Sequence, residues 1–151
     1  MSKSAQAGAG ARTRARELMV QALYQKQIAG HTTAELVTQY REDTEYARVD
    51  QAFFDELFPA ISNGQEHLEK KIDGLIDRPL AQLDPIELAI LLIGIHELEN
   101  RIDIPYKVVI NEGVNLAKRF GSTDGHKYIN ACLDVAAQSL REVEVSARSG
   151  G

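Results

Sequence analysis

Apolar positions recur every three or four residues along most of this chain, which is the rhythm of helices packed on one face. Val20, Leu23, Tyr24 and Ile28, with Gln27, keep the i, i+3, i+4, i+7, i+8 spacing and predict a first helix over about 14–29, stopped by Gly30. A second starts near Thr32, where Thr32 and Glu35 form a capping box, and carries Leu36, Val37 and Tyr40. From 49 to 76 the apolar spacing stays helical, with a kink or break expected at Pro59. The run LAILLIGI is ambiguous by itself. Its flank, Asp84-Pro85 with Glu87, is a helix start, so 85–99 is read as a helix apolar on all sides and central to a bundle. A fifth helix runs through Val108, Val109, Leu116 and Phe120 to Gly121, and a last one covers 126–142.

No segment alternates with period two, so the predicted class is all-α, a compact bundle of about six to seven helices. The small, polar ends 1–10 and 143–151 are expected to be disordered tails around one domain, 11–142. The single cysteine, Cys132, cannot form an internal disulfide, and no apolar run is long enough for a signal peptide or membrane span, which points to the cytoplasm.

Charge is unevenly spread. Residues 1–16 carry +4, residues 17–104 carry −10 and residues 105–151 carry +1. A basic end on an acidic body is what a local polyanion site needs, although a solvated tail has the same composition. Arg12, Arg14 and Arg16 stand where the first helix is expected to begin, and cations at that end oppose the helix dipole. At about 100° per residue Arg12 and Arg16 share a side while Arg14 points about 200° away, so all three reach one surface only if the first turn is irregular. In a regular helix Arg14 is the one expected to fall away. A second basic group, Lys118 and Arg119 before Gly121 and Lys127, Tyr128 and Asn130 after it, places cations, a ring and an amide within reach of a single-stranded base. Tyr128 as a core residue beside a solvated Lys127 fits the sequence as well.

Catalytic and metal signatures are missing from the sequence. It contains no phosphate-binding G-x-x-x-x-G-K-[ST], no H-E-x-x-H, no EF-hand loop and no E-x-x-H pair, so no catalytic residue, metal or cofactor is predicted. Ser122, Asp124 and His126 lie close together but read as a loop whose side chains cap the last helix.

The residues R-A-R-E-x-x-V-Q-A-L-Y at 14–24, P-Y-K-V-x-I-N-E-x-V-x-L-A-K-x-F-G at 105–121 and H-K-Y-I-N at 126–130 resemble the NusB family of transcription antitermination factors. The resemblance covers about 11–141. It implies two small helical subdomains, no enzymatic activity, pairing with the ribosomal protein NusE, and binding of the pair to single-stranded boxA RNA. With other Nus factors this keeps RNA polymerase processive on ribosomal RNA operons. The RNA-facing set it implies is Arg12, Arg14, Arg16, Gln21, Lys118, Arg119, Asp124, Lys127 and Asn130, with the Asp124 carboxylate holding affinity down. Tyr24, Glu87 and Tyr128 correspond to the NusE-facing positions, Tyr128 replacing a more familiar Phe. Asn130-Ala131 stands where the family often has Asn-Gly. Some relatives self-associate over the RNA surface, and the sequence leaves monomer and homodimer both open. Two other readings keep the fold: an RNA-binding module like those of ribosomal RNA methyltransferases, and a protein-only adaptor.

Overall fold

The computed structural model describes the backbone of residues 2–150 and the side chains of residues 10–147. Helices account for its regular structure, with no strand among the described residues. Two compact units divide the chain, Met1–Gly64 and Gln65–Gly151.

The first unit holds α1 (Ser2–Ala29), α2 (Thr33–Arg41), a 3-10 turn (Thr44–Arg48) and α3 (Gln51–Asn63). Its core is built from Leu18, Met19 and Leu23 of α1, Leu36 of α2, and Phe54, Leu57, Phe58 and Ile61 of α3. The Phe54 and Phe58 rings stack at 5.4 Å, and Tyr46 meets Phe54 edge-on at 5.9 Å. The expected capping box is present: Thr32 Oγ1 accepts from Glu35 N at 3.1 Å and Thr32 N donates to Glu35 Oε1 at 2.8 Å. Gly30 ends α1 in the left-handed region, at φ 74°.

Three expectations are corrected here. Helix α1 begins at Ser2, well before the start expected near 14, and Met1 lies outside the described residues. Arg12 to Arg16 are therefore well inside a helix, beyond the first turn where the dipole acts. Pro59 breaks nothing: α3 passes through it and ends at Gly64, because a proline removes one hydrogen bond while Phe58 and Ile61 beside it are fully buried.

The second unit holds α4 (Gln65–Asp73), a 3-10 turn (Leu80–Gln82), α5 (Pro85–Asn100), α6 (Tyr106–Phe120), α7 (Gly125–Leu140) and α8 (Glu142–Gly150). As expected, α5 is apolar on every side; Leu88 to Ile95 are all buried, and α5 packs against α4, α6 and α7. Each such Leu or Ile contributes about 1.5–3 kcal/mol relative to exposure. Asp84 caps α5, its Oδ1 accepting from Ile86 N at 2.7 Å. The Leu133 side chain of α7 fills the space left by two glycines. A Cβ at Gly94 or Gly113 would sit 2.7 Å from a Leu133 methyl carbon.

A further helix follows α7. Arg141 is buried and donates to the carbonyls of Leu98 at 2.6 Å, Arg101 at 2.7 Å, Ile104 at 2.9 Å and Glu97 at 3.1 Å. Of these, the Leu98 carbonyl lies in the last turn of α5, where helical partners run out, while Glu97 O also accepts from Arg101 N at 2.9 Å. Arg141 also pairs with Glu144 at 2.7 Å, and Glu144 Oε2 accepts from Tyr106 N, the first residue of α6, at 2.9 Å. Those contacts hold the start of α8. Gly151 lies outside the described residues.

Candidate functional site

In the first unit the regular geometry of α1 separates the arginines. Arg12 and Arg16 share a side, and both guanidinium groups lie over the Phe53 ring, at 4.8 and 4.9 Å. Arg12 Nε also donates a long hydrogen bond of 3.4 Å to Asp50. Arg16 is only 3% exposed, committed to the protein interior, whereas Arg14 is exposed. The helix does split the three as its period requires, but the solvent-facing member is the one expected to fall away. Gln21 and Tyr24 are exposed as well, Tyr24 at 40%. Positions 14, 21 and 24 fall within about 80° of one another around the helix, so one open stripe carries a cation, an amide and a ring over about 15 Å.

In the second unit the other cations flank the turn between α6 and α7. Lys118 and Arg119 occupy the last turn of α6, where cations suit the helix dipole, and Lys127 and Asn130 open α7; all four are exposed. Arg119 also lies over the Phe120 ring at 5.3 Å. Asp124 precedes α7 without the side-chain cap expected of this loop. Its carboxylate instead stands 3.7 Å from Lys127 Nζ, with both groups exposed, a pair worth little in water.

Glu87 and Tyr128, far apart in sequence, are brought together through residues that sequence reasoning missed. Glu87 sits in the first turn of α5 and lies against α7: a Cβ at Gly125 would come 3.3 Å from Glu87 Oε2. Burial, then the neighbouring Asp84, raise the Glu87 carboxyl above the usual range, against the pull of Arg78. Arg78, from the loop before α5, lays its guanidinium over the Tyr128 ring at 4.3 Å. The Tyr128 hydroxyl is buried with only the Cys132 thiol as a weak polar neighbour, and burial, then that thiol, push its pKa up to about 12. Cys132, one turn along α7, is a buried free thiol, and burial raises its pKa also. The only sequence signal for Arg78 was an arginine before Pro79 in a loop, which says nothing of a ring fifty residues on.

These elements define an all-helical protein with exposed cations in each unit and a mixed-charge patch in the second. Comparison with known proteins places the fold. The model of the NusB family matches residues 13–138. A protein of Pseudomonas syringae pv. tomato named Transcription antitermination protein NusB is 48% identical over 136 residues, 90% of this chain and 82% of its own. One of the same name from Marinobacter nauticus is 42% identical over 146 residues, 97% of this chain and 92% of its own. The solved structure of T. maritima NusB shares the fold, with a TM-score of 0.75 over 85% of this chain and 91% of that one, at 22% identity. The chain belongs to the NusB family, a family of transcription antitermination proteins and not of enzymes. No helix among the described residues is long and apolar enough to cross a membrane.

Proposed function

We propose that this chain acts in the cytoplasm by pairing with the ribosomal protein NusE, and that the pair binds boxA RNA. Together with other Nus factors it keeps RNA polymerase processive on ribosomal RNA operons. The observation that carries the reading is the open stripe of α1, where Arg14, Gln21 and Tyr24 are exposed on one side of a single helix. A guanidinium binds phosphate through paired hydrogen bonds, and the Gln21 amide, about two turns along the same side, suits a base edge. Tyr24 lies about three turns further along the helix and supplies an aromatic anchor of the kind protein interfaces favour. In the second unit Lys118, Arg119, Lys127 and Asn130 offer a further basic surface, tempered by Asp124.

Arg12 contributes through its half-exposed guanidinium. Arg16 acts from beneath, by fixing Phe53 and the α1–α3 contact. Titrating labelled boxA RNA and a scrambled RNA, with and without NusE, tests the reading. The expected result is a preference for boxA that strengthens when NusE is present. Equal binding of both RNAs in both conditions overturns it.

A further inference from the structure

The loop between α4 and α5 carries a cation whose placement the resemblance does not account for. Arg78 holds one long ion pair, from its Nε to Asp77 at 3.3 Å, and its side chain is 42% exposed. Its guanidinium lies over the Tyr128 ring at 4.3 Å. That contact fixes the plane of the fork, so less side-chain entropy is lost when both terminal nitrogens engage a ligand. Glu87, an acceptor, stands in the same patch, its charge felt at Arg78 and at Cys132.

We propose that Arg78 is a recognition residue of the Glu87–Tyr128 patch, its guanidinium receiving a carboxylate from a polypeptide partner while Glu87 accepts a hydrogen bond from the same segment. This rests on the reading that Glu87 and Tyr128 face NusE. Local charge selects a polypeptide over a nucleic acid. Asp77 and Glu87 act on Arg78, and Asp84 acts on Glu87, so carboxylates outnumber the Arg78 cation in this patch, which disfavours a phosphate backbone. A peptide segment with one acid and one donor matches both signs. The Tyr128 ring is the shelf that holds the fork, so the aromatic ring matters here and its hydroxyl does not.

The test uses the full chain with Arg78→Ala and Arg78→Lys, titrated calorimetrically with NusE and separately with boxA RNA. Arg78→Ala is expected to weaken NusE binding at least about tenfold, the loss typical of one charge-assisted hydrogen-bonded contact. Arg78→Lys keeps the charge and loses the planar fork, so it should recover only part of that affinity. Affinity for RNA alone and the melting temperature should match the parent for both variants. Parental NusE affinity in Arg78→Ala overturns the assignment. So does a loss confined to RNA, which would make Arg78 a phosphate contact. If the parent chain itself fails to bind NusE, the interface reading falls and takes this assignment with it.

Discussion

The arginines of α1 and the patch around Tyr128 reach their arrangements by opposite routes. Arg12, Arg14 and Arg16 are neighbours in sequence, and the helix sends them to different fates: two over Phe53, one of them buried, and one into solvent. Arg78, Glu87, Tyr128 and Cys132 are spread over fifty residues, and the packing of α5 and α7 gathers them. A cluster of like residues in a sequence is thus no measure of a cluster in space when the intervening structure has a 3.6-residue period. Chemistry built from single residues on separate elements leaves almost no local trace.

The contrast can be broken most forcefully at Arg141, which ties the end of α5 to the start of α8. Replacing it with Met leaves buried carbonyls unsatisfied and should cost about 3–5 kcal/mol in urea unfolding. An unchanged midpoint would show that the gathered patch does not depend on this pin. The α1 arginines offer a smaller contrast. Arg16→Ala removes a buried cation from the Phe53 ring and should cost about 2 kcal/mol, while Arg14→Ala should stay within about 0.5 kcal/mol of the parent. Equal losses for the two would contradict the division of roles.

Smaller still is the effect at the shelf. Tyr128→Phe deletes a buried hydroxyl whose polar neighbour is only the weakly bonding Cys132 thiol, so stability should rise by up to about 1 kcal/mol. Its pH dependence has a definite sign. The folded-state pKa is raised from 10.0 to about 12, so the unfolded chain loses this proton first. The stability associated with neutral Tyr128 is complete below pH 10 and is lost as pH rises toward 12. The advantage of the variant over the parent should therefore widen between pH 10 and 12, because only the parent carries a titrating hydroxyl; parallel curves would be inconsistent with a buried hydroxyl. At Asp124, an Asn substitution removes a carboxylate beside Lys127 and should raise RNA affinity two- to threefold or so, read by fluorescence anisotropy.

Much of the fold was legible from local signals. The Thr32 capping box, the Asp84-Pro85 start, the all-round apolar α5 and the stop at Gly121 each rest on residues within one turn of the feature they specify. What escaped was decided elsewhere. Helix α8 owes its start to Arg141 and Glu144, which act on α5 and α6, some 40 residues away. The early start of α1 runs through Ala-rich sequence, where good helix formers offset the glycines. At Pro59 the buried neighbours outweigh one lost hydrogen bond. For the candidate site, residue types were legible and exposure was not: period alone separated Arg14 from Arg12 and Arg16, but which side faces Phe53 depends on α3.

The central claim is that Arg14, from the open stripe of α1, is a phosphate contact while Arg16 acts from within. Its most direct test is the salt dependence of boxA RNA binding in the parent and in Arg14→Ala. If three or four phosphates are neutralised, the parent should give a log–log slope of about −2 to −3, and Arg14→Ala should lower its magnitude by about 0.7 with the melting temperature unchanged. A variant with the parental slope and affinity would contradict the claim.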